Sequence, residues 1–91
     1  MMGREVTLTQ TAQKILLFLL KKDGVPAKTI VDEGGINNTP LLRALQELEQ
    51  LGLVTEKREE NTIPRRRLIF LTEKGRKVAE KLKEINEIIM S

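Results

Sequence analysis

The segment from Asn37 to Gly75 changes from helical to strand-like hydrophobic periodicity, and this change constrains the fold more than any other feature of the chain. Its first part carries leucines at spacings of four, three and three residues, namely Leu41, Leu45, Leu48 and Leu51. That spacing is typical of the buried face of an α-helix. Gly52 then stands where a helix commonly ends. The pattern predicts a helix over residues 38–51, with Asn38 or Thr39 as its N-cap.

The residues after this helix have the composition of two short strands joined by a charged loop. We expect the strands at 54–58 and 65–71, with the loop at 59–64 between them. Strict alternation gives the second strand two faces, one with Arg66, Leu68 and Phe70 and the other with Arg65, Arg67, Ile69 and Leu71. Leu68 and Phe70 are expected to pack on the helices, so that Arg65 and Arg67 project outward.

The predicted hairpin is locally basic. Between Lys57 and Arg67 it holds five basic residues against two acidic ones, and the net charge of +3 in this segment equals the excess of the whole chain; the basic residues are Lys57, Arg58, Arg65, Arg66 and Arg67. A basic patch on an otherwise balanced chain is typical of a surface that binds a polyanion. The alternative is a solvated hairpin tip.

Two further helices are predicted before residue 38. The first covers about 9–22 and ends at Asp23-Gly24, and the second covers about 27–33. Val25-Pro26 between them is either a short extended piece or a helix start. Because only the Gly34-Gly35 turn and a few residues separate helix 27–33 from helix 38–51, the pair has the spacing of a helix-turn-helix motif.

The exposed face of helix 38–51 is rich in side chains that can contact base edges. Arg43, Gln46 and Asn38 belong to the types that form bidentate hydrogen bonds with guanine or adenine. Glu47 and Glu49 nevertheless make the helix acidic overall. A plain amphipathic core helix with a solvated outer face is therefore the alternative interpretation.

The last helix is predicted to begin at Thr72 and to reach the end of the sequence. Its apolar residues recur at three, four, three and four, as in a heptad seam, at Gly75, Val78, Leu82, Ile85 and Ile89. Because a single helix of this length is marginal in water, its stripe requires a partner. We expect dimerisation through Val78, Leu82, Ile85, Ile88 and Ile89. Packing on the first helix of the same chain is the alternative.

The order of these elements resembles the winged helix-turn-helix superfamily, especially the MarR-like and related small prokaryotic and archaeal regulators, over about residues 9–80. The Leu71-Thr72-Glu73-Lys74-Gly75 helix restart after the hairpin is similar to the one in MarR-like chains. The resemblance implies a mainly α chain with a small β-hairpin (α+β), built as a three-helix core, a wing and a long C-terminal helix. Residues 1–71 would form the DNA-binding domain, and residues 72–91 the dimerisation helix.

By the same resemblance, the chain is expected to be a homodimeric transcriptional regulator that binds double-stranded DNA. Helix 38–51 would enter the major groove, and the hairpin 54–71, the wing, would approach the backbone or the minor groove. The expected DNA-binding residues are Asn38, Thr39, Arg43, Gln46, Lys57, Arg58, Arg65, Arg66 and Arg67. A winged-helix protein-interaction module and a weakly specific chromatin-type protein stay open as alternatives.

Composition argues against several other functions. The 91 residues include no Cys, which removes thiolate metal ligands, and no His, which removes imidazole ligands and the commonest general base. We therefore expect no enzyme, no catalytic residue, no metal and no cofactor. Two Phe are the only aromatic residues, which disfavours base stacking on single strands. The longest apolar run, Ile15–Leu20, is too short for a bilayer, and no signal peptide is evident, so a cytoplasmic location is expected. A thermophilic source is compatible with the composition, and an effector ligand stays an open question.

Overall fold

The computed structural model of the protein describes residues 7–59 and 66–91, with the backbone alone for Arg66. Within these residues the chain forms four helices and three short strands. In chain order they are α1 (Gln10–Lys21), β1 (Val25–Pro26), α2 (Ala27–Gly34), α3 (Asn38–Gln50), β2 (Val54–Glu59), β3 (Arg66–Leu71) and α4 (Glu73–Met90). This order confirms the predicted α+β architecture, in which a three-helix core carries a wing and a long C-terminal helix.

Helix α1 lies at the centre of the core. Its N-cap is Thr9, whose hydroxyl accepts a hydrogen bond of 3.1 Å from the backbone N–H of Ala12. Four apolar side chains of the helix are completely buried, namely Ala12, Ile15, Leu16 and Leu19. Around it pack the other three helices and β3. Burial of this apolar surface, rather than helix propensity, holds the helices together.

The helix-turn-helix pair is α2 followed by α3, and the predicted turn at Gly34-Gly35 is confirmed. Gly35 caps α2 in the left-handed conformation, with φ of 65°. The N-cap of α3 is Asn37, one residue before the predicted Asn38 or Thr39. Asn37 has an extended backbone, and its carbonyl accepts the first hydrogen bond of the helix from the N–H of Leu41 at 3.1 Å. Asn38 and Thr39 are therefore in the first turn and do not cap the helix.

Helix α3 ends in two backbone hydrogen bonds around Gly52. The N–H of Leu53 donates to the carbonyl of Leu48 at 2.9 Å, and the N–H of Gly52 donates to the carbonyl of Glu49 at 3.0 Å. Gly52 has a φ of 74°. This is a Schellman termination, and it requires a residue that tolerates left-handed geometry. The glycine that marked the end of the helix in the sequence thus has the expected role.

The sheet has three antiparallel strands in the order β1-β3-β2. Val25 pairs with Ile69 and Pro26 with Leu68, so the short extended piece is an edge strand. Asp23 anchors the connection, because its carboxylate accepts from the N–H of Leu71 at 2.8 Å and from the guanidinium of Arg76 at 3.2 Å. The wing is therefore attached to the end of α1 and to α4.

The prediction that Leu68 and Phe70 form the core face of β3 is wrong. Ile69 and Leu71 are buried, whereas Leu68 and Phe70 are half-buried on the other face of the sheet. The Phe70 ring lies against Gly24, and any side chain at position 24 would collide with the ring. On the same face, the Lys57 ammonium stands 5.4 Å from the ring centroid. These contacts give the aromatic ring a place outside the core. Arg67 consequently shares a face with the core residues.

The predicted loop falls mostly outside the described residues. Glu59 belongs to β2, and residues 60–64 together with Arg65 lie in the part that the structure does not describe. In the two described ranges, no helix is both long and apolar enough to cross a membrane.

Candidate nucleic-acid interface

Helix α3 presents one continuous exposed stripe on the side opposite its buried leucines. Thr39, Leu42, Arg43 and Gln46 are exposed at spacings of three, one and three residues. Positions three and four apart lie on the same face of a helix, so these four side chains are neighbours. The stripe contains three of the four residues that the sequence predicted for base contacts. Asn38 is also exposed, in the first turn of α3.

The wing strands stand beside this stripe. In the register of β2 and β3, Arg58 lies opposite Arg67 and Glu56 opposite Ile69. Alternation therefore places Glu56, Arg58 and Arg67 on the sheet face that carries the buried Ile69. The side chain of Arg67 is 68% exposed, since β3 extends beyond the core at this point. Its guanidinium is therefore accessible to solvent.

Together, α3 and the wing enclose an open groove of about 590 Å³. It is lined by Thr39, Leu42, Arg43, Leu45, Gln46, Glu49, Glu56 and Arg67. The fold thus brings four of the predicted site residues into one concave surface. We call this surface the α3–wing groove.

The other predicted wing residues take different positions. Lys57 lies on the opposite sheet face over Phe70, and Arg58 is exposed near the described end of β2. The side chains of Arg65 and Arg66 lie outside the described residues. The described basic side chains of the wing are therefore distributed over both faces of the hairpin.

Two glutamates make the electrostatics of the groove less positive than its arginines suggest. The pKa of Glu49 is raised by burial, by the negative charge of Glu56 and by a hydrogen bond with the Glu56 carboxyl. The positive charge of Arg67 lowers it. Glu56 also forms an ion pair with Arg67, with 3.4 Å between Oε1 and Nε. An exposed pair of this kind contributes little to stability, since water screens it. Its consequence is that Arg67 has a partner within the groove.

The start of α4 holds the end of α3 in place. The hydroxyl of Thr72 donates to the carbonyl of Gly52 at 2.6 Å, and the ammonium of Lys74 donates to the carbonyl of Leu51 at 3.1 Å. The Thr72 hydroxyl also accepts from the N–H of Gly75 at 2.9 Å and so caps α4. Thr72 and Lys74 of the restart motif thereby satisfy carbonyls that the end of α3 leaves unpaired.

The predicted dimer residues fall into two groups. Val78 and Leu82 are half-buried and pack against the core of the same chain. Ile85, Ile88 and Ile89 are 51%, 68% and 73% exposed. A groove of about 490 Å³ separates the far end of α4 from α1, with Leu17, Leu20 and Met90 among its lining residues. The apolar stripe of α4 is thus covered in its first half and open in its second.

The described acidic side chains do not gather into a site for a metal. Within residues 7–59 and 66–91, no three of the Asp and Glu residues come together as potential ligands.

The family assignment follows from a comparison along the sequence. The family model described as HxlR-like helix-turn-helix matches residues 13–91. The chain belongs to this family. The match runs from the fourth residue of α1 to beyond the end of α4 and includes both sides of the α3–wing groove. None of the curated protein sequences matches this HxlR-like chain.

Solved structures with the same fold include MarR-family regulators. A variant of ZitR from Lactococcus lactis superposes with a TM-score of 0.83 at 26% identity, over 99% of this chain and 60% of that one. A MarR-family transcriptional regulator from Silicibacter pomeroyi has a TM-score of 0.74 and 31% identity, over 85% of this chain and 51% of that one. This HxlR-like chain therefore spans 60% or less of the length of these two proteins.

A third structure contains nucleic acid. It is a protein from Listeria monocytogenes, assigned to the MarR family of transcriptional regulators, in complex with 26mer DNA. Its TM-score is 0.80 at 28% identity, over 89% of the HxlR-like chain and 53% of its own length.

Four groove residues were absent from the sequence-based site, namely Leu42, Leu45, Glu49 and Glu56. Leu42 could have been found, because it falls away from the buried leucine stripe and onto the exposed face. Glu56 had no comparable signal, since its position next to Glu49 and Arg67 depends on how the wing packs against α3.

Proposed function

We propose that this HxlR-like chain is a homodimeric transcriptional regulator that binds double-stranded DNA with α3 and the wing. The observation that carries the proposal is the α3–wing groove, in which Thr39, Arg43 and Gln46 meet the wing residue Arg67. Membership of a helix-turn-helix family and the likeness to a DNA-bound MarR-family structure support it. A regulator of this kind would act in the cytoplasm, and no enzymatic activity is proposed.

In this proposal α3 lies in the major groove. Asn38, Thr39, Arg43 and Gln46 would contact base edges from its exposed side. A good bidentate contact, such as arginine with guanine, contributes about 1–3 kcal/mol of discrimination against the wrong base. Arg43 is the best placed for that contact, because it is in the middle of the stripe.

The wing would supply attraction to the phosphates. Its basic residues in the proposal are Lys57, Arg58, Arg65, Arg66 and Arg67. Contacts with phosphates position a protein on the duplex but carry no sequence information directly. The ion pair between Arg67 and Glu56 would have to open for Arg67 to reach a phosphate, which is feasible because both side chains are accessible to water.

We further propose that residues 72–91 provide the dimer interface, with residues 1–71 as the DNA-binding domain. Ile85, Ile88 and Ile89 leave the core and offer an apolar surface. Val78 and Leu82 would extend this surface toward the domain. Dimerisation would place two α3 helices in successive major grooves, about 34–36 Å apart.

The first test is binding of the protein to duplex DNA at two salt concentrations. Fluorescence anisotropy with mixed-sequence and A·T-rich duplexes should give a Kd that rises at least tenfold between about 50 and 200 mM salt. Equal affinity for all duplexes would favour a chromatin-type role. A folded protein that binds no duplex at the lower salt would contradict the proposal. In that case the exposed Leu42 and the acidic Glu49–Glu56 pair would favour a protein-interaction module.

The dimer proposal predicts the effect of a charge on α4. Wild-type protein should sediment at twice the 10.4 kDa mass of the chain, and Ile88→Asp should sediment as a monomer, because an aspartate at an apolar interface is left without compensation. Ile88 is exposed in the single chain, so its substitution should leave the fold intact. Asn86→Asp, on the side facing α1, is the control for charge and should stay dimeric. Wild-type protein that is monomeric at micromolar concentration would refute the dimer.

The raised pKa of Glu49 predicts that DNA binding depends on pH. A raised pKa means that Glu49 takes up a proton at a higher pH than an ordinary glutamate, so the groove loses negative charge as the solution is acidified. DNA affinity should therefore increase as the pH is lowered, and the increase should begin at a higher pH than titration of an ordinary glutamate would produce. Glu49→Gln should bind more tightly at neutral pH and should depend less on pH than the wild type. Glu80→Gln, an exposed control on α4, should keep the wild-type profile. Identical pH profiles for wild type and Glu49→Gln would contradict the prediction.

A further inference from the structure

Leu42 is an apolar side chain at the centre of an otherwise polar stripe. It is 56% exposed, in contrast to the fully buried Leu41 and Leu48 of the same helix. Thr39 precedes it by three residues and Gln46 follows it by four, so both flank it on the exposed face of α3. All three side chains line the α3–wing groove together with Arg43. A ligand that fills the groove has to cover Leu42.

The chemistry of the major groove limits what Leu42 can meet there. Base edges in that groove consist of hydrogen-bond donors and acceptors and a single apolar group, the C5-methyl of thymine. A leucine pressed against a donor or acceptor would remove water from that group without giving it a partner, which is unfavourable. Contact with a methyl group removes apolar surface of both partners from water. A leucine held against base edges in the major groove therefore favours thymine over the other bases.

We infer that Leu42 is a specificity-determining residue that packs on the C5-methyl of a thymine in each half-site. This inference rests on the proposed function, and it deepens it by naming one base that the bound sequence contains. The thymine lies next to the base pair contacted by Arg43 or Gln46, since those side chains are the neighbours of Leu42 on α3.

The test replaces thymine by uracil, which removes the methyl group and keeps the hydrogen-bonding edge. A duplex is first selected by wild-type binding from a random pool, and its thymines are then exchanged one position at a time in both half-sites. At one position the exchange should weaken wild-type binding about fourfold for each half-site, as expected for loss of one buried methyl group. Leu42→Ala should bind the thymine duplex more weakly than wild type and be insensitive to the exchange at that position. Leu42→Met, which keeps an apolar side chain, should stay sensitive.

The outcomes separate this inference from the proposed function. In one outcome, the wild type binds the selected duplex while Leu42→Ala responds to the thymine-to-uracil exchange as the wild type does at every position. That result would overturn the role of Leu42 and leave DNA binding intact. The same conclusion would follow if Leu42→Ala bound as tightly as wild type. Absence of wild-type binding to any duplex in the pool would overturn both, and the exposed leucine would then belong to a protein interface. Because Leu42 is outside the core, circular dichroism of each variant should match the wild type.

Discussion

Replacing Lys57, Arg58 and Arg67 together with alanine is expected to weaken binding to duplex DNA on the order of 10²-fold at about 0.1 M salt. All three side chains are exposed on the wing, and Arg67 also borders the α3 stripe. The logarithm of the observed binding constant falls linearly with the logarithm of the salt concentration, and each lost phosphate contact makes this slope less steep by about 0.9. A dimer that loses contacts on both wings should therefore show a slope that is less steep by roughly 2 to 5. The loss should be similar for all sequences, since phosphates carry no sequence information.

A matched variant controls for net charge. Lys14/Lys21/Lys77→Ala also removes three exposed positive charges, but from α1 and α4, none of them lining the α3–wing groove. It should bind DNA almost as tightly as the wild type, with nearly the same salt slope. Equal slopes for the wing variant and the wild type would refute the assignment of the wing as a DNA contact.

Gly75→Ala is expected to destabilise the protein by about 2–3 kcal/mol, although alanine is intrinsically the better helix former. A methyl group on Gly75 would lie 1.8 Å from the carbonyl oxygen of Leu53 and 2.7 Å from its carbonyl carbon. That oxygen is held in place, because it accepts a hydrogen bond from the N–H of Thr72 at 3.1 Å. The start of α4 would have to move away from the end of α3.

Thermal unfolding measures this effect. For a domain of this size, 1 kcal/mol corresponds to about 4–8 °C in Tm, so the variant should unfold roughly 10–20 °C below the wild type. Gly34→Ala is the control within a helix, because its methyl group would meet its nearest neighbour, Cδ2 of Phe18, at 3.4 Å. It should change the stability by less than about 1 kcal/mol. A Gly75→Ala protein as stable as the wild type would show that α4 does not need to approach Leu53 so closely.

The elements of the fold could be predicted from the sequence wherever a local rule was sufficient. Thr9 and Thr72 cap their helices, and Gly52 ends α3, because each acts on atoms only a few residues away. The second role of Gly75, close packing on Leu53, could not be predicted, since the two residues are brought together by the tertiary fold. The sequence indicated only that a glycine follows a helix start.

The orientation of β3 could not be predicted for a different reason. Leu68 to Leu71 are four consecutive apolar residues, so alternation alone offers two equally apolar faces. An aromatic side chain favours the core on average, but here Phe70 packs outside it, against Gly24 and below Lys57. The choice depends on how the Asp23-Gly24 turn docks on β3 through the hydrogen bond from Gly24 to Ile69.

The candidate site was predictable in its residue types and not in its pairings. Thr39, Arg43 and Gln46 followed from the helical repeat of α3, because burial of one face exposes the other. The ion pair of Arg67 with Glu56 joins β3 to β2, and the interaction of Glu56 with Glu49 joins β2 to α3 across the groove. Contacts of that kind require the docked structure.

The most direct test of the account is a titration of isotopically labelled protein with duplex DNA, followed through amide chemical shifts. We predict that the largest changes occur in α3, around Thr39, Leu42 and Gln46, and in the strands of the wing, and that they decrease as salt is raised. The last turn of α4 should change little. Largest changes outside α3 and the wing, or none at about 50 mM salt in a folded protein, would contradict the claim that this surface binds DNA.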